Sequence, residues 1–170
     1  HRGRPEWVPQ IAAFGPPSQG PKTLRVAGAA KGDLSTAGAL RGGADEAAGW
    51  LRDNGFAAPT LDVPEAEDGP ISITPFWAVK GCNRAWLDQQ NDVTVKDVKL
   101  AHQENFVSVE HLKRYTTLGM ATDQGKTSNM GGLAIMAELT GKAIPEVGTT
   151  IFRPPYAPTA IGAFAGRDRG

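Results

Sequence analysis

The chain has 170 residues, with 18 basic and 18 acidic side chains and a single cysteine. That length suits one domain or two small ones, and a formal net charge of zero excludes a whole-chain field that would draw in nucleic acid or an anionic membrane surface. The lone thiol, Cys82, excludes an intrachain disulfide and any all-cysteine metal or iron–sulfur site built by this chain.

No apolar run is long enough to span a bilayer, and no charged-then-apolar leader opens the sequence. The expected setting is cytoplasmic, with neither membrane nor nucleic acid as partner. The chain begins at His1 and both ends look cut, so it reads as a segment of a longer polypeptide.

Residues 1 to 22 are rich in Pro, Gly and Arg and carry no period; Trp7, Val8, Ile11 and Phe14 are the anchors expected there. Thr23 to Ala27 is a short β-favouring run that breaks at Gly28. The turn AGAAKGDLST then leads into a helix that Ser35 or Thr36 would cap, with Leu40, Ala44, Ala47 and Leu51 on one face and Gly55 as its close. Strand, glycine-rich turn and helix together let backbone approach a ligand and aim a helix N-terminus at it, as in dinucleotide sites. GAAKG is not GxGxxG, and a close-packed turn without a ligand satisfies the same residues. The candidate binding positions in this turn are Ala27, Gly28, Ala29, Gly32, Leu34 and Thr36.

Residues 57 to 81 return to Pro, Gly and acidic sequence, and alternation at Ile71 and Ile73 predicts a small extended element within a linker. Thr94 followed by Asp97 predicts a capped helix ending near Asn105, with Val95, Val98 and Ala101 inward. Ser108 predicts a second helix through Val109, Leu112 and Tyr115 or Thr116, stopped by Gly119. A polar loop, Thr122 to Lys126, enters a third helix over residues 127 to 140 that Thr127 or Ser128 would cap. Its Gly-Lys-Thr-Ser entry suits an anion such as a phosphate, because helix N-termini expose unpaired N–H groups; a capped helical hairpin with a solvated lysine fits the same residues. Gly131 and Gly132 in the first turn call for a close approach by a ligand, another chain or a packed neighbour. His102 and His111 lack a second ligand at metal spacing and read as surface or partner-contact residues. Beyond Lys142 the sequence is extended and Pro-rich, and Phe152, Pro154, Pro155, Tyr156, Pro158, Ile161 and Phe164 need a larger body to cover them.

VTVKDVKLA, SVEHLKRYTTLGMATDQGKTSN, GLAIMAELTGK and IPEVGTTIFRPPYAP together resemble the alpha subunits of heterotetrameric sarcosine oxidase and related multi-subunit amine oxidoreductases. The resemblance is strong over residues 86 to 170 and weaker at AGAAKGDLSTAGAL. It implies an α+β, mainly helical chain. Residues 1–57 would be the C-terminal edge of a dinucleotide (FAD/NAD)-binding domain and 58–85 a linker. Residues 86–142 would be a small helical domain similar to bacterioferritin-associated-ferredoxin 2Fe–2S modules, and 143–170 an extended tail leading to a folate-binding, aminomethyltransferase-like domain. Relatives with a cluster carry cysteines where this sequence has Asp88, Gln90, Asp123 and Ser128, so the resemblance implies a module without its iron–sulfur cluster.

It further implies FMN at a subunit interface, NAD or FAD in the dinucleotide domain, tetrahydrofolate in the adjoining domain, and a flavin-bearing beta subunit and small subunits as partners. If the Lys126 loop faces that FMN, Lys126 meets its phosphate together with the N–H groups of Thr127, Ser128 and Asn129, and Thr116, Thr117 and Gln124 line the approach. No residue reads as a general base or nucleophile. Two functions follow: a part of a sarcosine-oxidising flavoenzyme, or a cofactor-cradling, docking subunit of an amine dehydrogenase acting on N-methylglutamate or an opine.

Overall fold

A computed structural model describes residues 5–17, 24–151, 157, 159–165 and 167. The described residues are mainly helical with two short hairpins, and the chain divides into two units, His1–Pro75 and Phe76–Gly170.

In the first unit, β1 (Glu6–Val8) pairs antiparallel with β2 (Ala13–Gly15), setting Trp7 opposite Phe14 with ring centroids 5.2 Å apart, edge to face. This hairpin was not expected, because strands of three residues around Pro9 are too short to show a period. Residues 24–27 form no strand, contrary to the expectation for the β-favouring run; Thr23 lies outside the described residues. A strand needs a neighbour to receive its backbone hydrogen bonds, and propensity without a ladder does not make one.

A 3-10 turn, Gly28–Lys31, then closes through Gly32, whose φ of 98° is open to glycine at little cost. α1 (Thr36–Asp53) is capped by Ser35, as expected, whose hydroxyl accepts the Gly38 N–H at 3.0 Å. No residue of α1 is fully buried, and Leu40 and Trp50 are each more than a third exposed. Arg25 bonds both Glu46 and Asp53 along the helix, and Lys31 reaches Glu46 at 3.0 Å. The extended element expected at Ile71 and Ile73 does not form; residues 56–79 have no regular structure and both isoleucines are exposed.

In the second unit, β3 (Trp86–Asp88) pairs antiparallel with β4 (Val93–Thr94), which runs straight into α2 (Val95–Gln103). The expected start holds: the Asp97 carboxylate accepts the Thr94 N–H at 2.7 Å and the Thr94 hydroxyl at 2.7 Å. α3 (Val109–Thr116) starts at Ser108, whose hydroxyl accepts the His111 N–H at 3.2 Å, and it ends at Thr117 in the left-handed region, two residues ahead of the expected stop at Gly119.

α4 (Asn129–Thr140) lies between these elements with Gly132 to Ala137 all buried, and α5 (Ile144–Val147) follows. Neither Thr127 nor Ser128 caps α4 by its side chain. Ser128 is 1% exposed, and its hydroxyl turns inward to Asp88. Val98, Leu112, Leu118, Leu133 and Met136 form the core. Gly132 answers the glycine question with a packed neighbour, since a Cβ there would lie 2.3 Å from Leu118 Cδ2. Of the expected tail, Phe152, Pro154, Pro155, Tyr156 and Pro158 lie outside the described residues, while Ile161 and Phe164 are exposed.

Candidate functional site

The glycine-rich turn of the first unit borders a groove of about 480 Å³ whose lining includes Ala27, Gly28, Lys31, Gly32, Asp33 and Gly38. Of the six positions singled out in this turn, Ala27, Gly28 and Gly32 line it; Ala29, Leu34 and Thr36 do not. The adjoining start of α1 is occupied by carboxylates of the chain itself. Asp33 accepts from the Ser35 N–H and hydroxyl, and Asp68, 32 residues along, accepts the Thr36 N–H at 2.6 Å and the Ala37 N–H at 2.8 Å. Those two N–H groups, Ala37 first, hold the Asp68 carboxyl below its ordinary range; the Ser35 hydroxyl does the same for Asp33. Asp68 was missed in the sequence because it sits in an aperiodic linker with no local signal.

In the second unit the loop from Thr117 to Ser128 folds around the side chain of Asn129. A Cβ on Gly119 would come within 2.1 Å of Asn129 Oδ1, and one on Gly125 within 2.2 Å of Nδ2, so only glycine fits at either place. Asn129 Nδ2 donates to the Thr150 hydroxyl at 2.9 Å. Asp123 closes the loop from outside, accepting the Gly125 N–H, the Thr127 N–H and the Thr127 hydroxyl. The Thr127 hydroxyl is the main reason the Asp123 carboxyl sits below its ordinary range, with the charge of Lys126 adding to it.

This geometry alters the anion reading of the loop. The Thr127 N–H is already committed to the Asp123 carboxylate, and the buried Ser128 hydroxyl turns to Asp88. The Asn129 N–H donates to Gly125 O at 3.0 Å. Thr116 donates its hydroxyl to Leu112 O and Thr117 donates to Thr116 O, while Gln124 Nε2 donates to Ala121 O. Lys126 is exposed and brings a charge to the loop's outer side.

A second clamp lies on α3. Glu110 accepts the Ile151 N–H, and buried Lys113 donates to Ile151 O, so both backbone groups of one residue are held where the tail begins. Sequence reading gave no sign of it, since the partners are about forty residues apart.

The family described as the sarcosine oxidase A3 domain matches residues 82–167. The chain belongs to that family. Across its full length it is 43% identical to sarcosine oxidase subunit alpha of Rhizobium meliloti (strain 1021). Over 99% of the chain it is 39% and 37% identical to the subunits of the same name from Corynebacterium sp. strains P-1 and U-96. It spans 18% of the length of each of these curated relatives.

The A3 match contains the four positions where cluster-bearing relatives were expected to carry cysteine. Asp88, Gln90, Asp123 and Ser128 offer two carboxylates, an amide and a hydroxyl, a donor set that does not suit iron–sulfur chemistry, which needs thiolates. Each is engaged in hydrogen bonds: Asp88 with Ser128, Gln90 with the Thr122 hydroxyl, and Asp123 with Thr127. Cys82 is exposed and donates to Val79 O, and no group of three or more metal-binding side chains occurs among the described residues. No helix among those residues is long and apolar enough to cross a membrane.

Proposed function

We propose that the chain is part of the alpha subunit of a cytoplasmic, multi-subunit flavoenzyme that oxidises sarcosine to glycine. In this reading the one-carbon unit passes to tetrahydrofolate and the electrons reach oxygen, giving hydrogen peroxide. The observation that carries it is 43% identity, without loss of coverage, to a protein named sarcosine oxidase subunit alpha. Residues 1–57 are assigned to the edge of a dinucleotide (NAD or FAD) domain, 58–85 to a linker, 86–142 to a helical 2Fe–2S-type module without its cluster, and 143–170 to the lead into a folate domain. The groove beside Ala27, Gly28 and Gly32 supports the first assignment. The assignment of 86–142 as a module without its cluster is supported by the absence of thiolates at its four module positions. A flavin-bearing beta subunit and small subunits are the partners.

The experiment is turnover by the assembled complex with sarcosine and with N-methylglutamate as competing substrates. Peroxide formation and glycine release from sarcosine are expected. Turnover of N-methylglutamate alone would replace this function with that of an amine dehydrogenase.

The interface FMN is assigned to the loop that carries Lys126. A bound FMN would relay electrons between the amine-oxidising flavin and oxygen. Lys126 would hold its phosphate as a point charge, with Thr116, Thr117 and Gln124 lining the approach. Because the Thr127 N–H is taken by Asp123, the phosphate gains one charged contact and not a nest of N–H groups. A charge-assisted contact is worth about 1.5 kcal/mol at the lower end of its range, so Lys126→Ala should weaken FMN retention about tenfold. Titrating FMN and dinucleotide separately checks this: loss confined to FMN is expected, and unchanged FMN retention would show that Lys126 does not hold the phosphate.

A further inference from the structure

Asp88 stands where the resemblance places a cluster-ligating cysteine, yet it is 3% exposed and fully engaged. Its Oδ1 accepts the N–H groups of Gln90 at 2.9 Å and Asn91 at 3.1 Å; its Oδ2 accepts the Gly119 N–H at 2.8 Å and the Ser128 hydroxyl at 3.5 Å. Two further bonds join the same pieces of chain, from Asn91 Nδ2 to Thr117 O at 2.9 Å and from the Thr122 hydroxyl to Gln90 Oε1 at 3.0 Å. The turn after β3 is thereby stitched to the 117–128 loop, and Asp88 is the fully buried member of the seam on the β3 side.

We infer that Asp88 is the positioning residue of the 117–128 loop, doing with hydrogen bonds what thiolates on a shared cluster would do by coordination. The chemistry requires a carboxylate. One oxygen serves the part-buried donors of its own turn while the other serves the donors of the loop, which are buried away from water. Asparagine matches the shape but has one acceptor oxygen, so either Gln90 and Asn91 or Gly119 is left with an amide facing an N–H. A buried charge is tolerated because four donors compensate it. The consequence for FMN rests on the assignment of the Lys126 loop made above; the tether itself does not.

The test is amide hydrogen exchange on the full-length protein with its accompanying subunits, comparing wild type with Asp88→Asn. Exchange over residues 117–128 should rise about 10- to 100-fold while α2 keeps its protection, as expected when a buried donor loses its acceptor and the region opens locally. Should Asp88→Asn fail to accumulate, Asn91→Ala and Ser128→Ala each remove one strand of the seam, and a smaller rise in the same segment is expected. Unchanged exchange over 117–128 in the folded variants overturns the inference, as does a rise spread evenly through residues 86–147. FMN retention read on the same samples separates the two readings. Loop opening with FMN lost supports both, and loop opening with FMN retained keeps the tether and moves the flavin elsewhere. FMN lost without loop opening overturns the tether.

Discussion

Leu112→Ala should remove about 2–5 kcal/mol from the stability of the second unit, a large part of what a small domain possesses. Leu112 is fully buried on the inner face of α3, the helix that packs on both α2 and α4. Truncation loses the transfer energy of the deleted methyl and methylene groups. It also opens a cavity that Val98, Leu133 and Met136, themselves fully or nearly fully buried, have little room to fill. Denaturant unfolding of the full chain, followed through the second unit, is the measurement. Leu100→Ala on the outer side of α2, where the side chain is 46% exposed, is the comparison and should cost under about 1 kcal/mol. Equal losses at the two positions would mean that α3 does not pack as described.

Gly132→Ala should destabilise by about 1–3 kcal/mol, although helix propensity taken alone gives the opposite sign, a gain of roughly 1 kcal/mol for alanine over glycine inside a helix. Packing decides between them. The new methyl would lie 2.3 Å from Leu118 Cδ2, with Leu118 Cγ and Cδ1 also in contact, and Leu118 is 1% exposed, so it has no free direction in which to swing. Gly43, in the middle of α1 with nothing within 4 Å of an added Cβ, isolates the propensity term: Gly43→Ala should stabilise by about 0.5–1 kcal/mol. Thermal melts of both variants check the pair, and a stabilised Gly132→Ala would show that α4 and Leu118 stand further apart in solution.

Reading the order of helices from the amino acids succeeded where the signal is local. The Thr94–Asp97 pair starts α2, Ser108 starts α3 and Ser35 starts α1, because a capping side chain reaches backbone only three residues away. Ser128 looked like the same signal and is not one. Its hydroxyl has a partner 40 residues distant, in Asp88, and that pairing has no trace in the residues beside it. The glycine-rich turn and the polar loop were legible as segments leading into helices, but the hydrogen-bond roles of single residues within them were not. The Thr36 and Thr127 N–H groups look unpaired in sequence and are taken by Asp68 and Asp123 in the fold.

The sequence by itself determined the family, the helical character of the second unit, and the absence of thiolates at the four module positions, since each depends on which residues are present and on spacings of a few residues. Only the tertiary structure decided that residues 24–27 form no strand, that Gly132 is held small by Leu118, and that Asp88 ties the turn after β3 to Gly119 and Ser128. These depend on groups 14 to 40 residues apart meeting in a space from which water is excluded. There an unpaired donor or an overlapping methyl costs a kcal/mol or more, roughly, whereas the same group in an isolated peptide would be solvated at almost no cost.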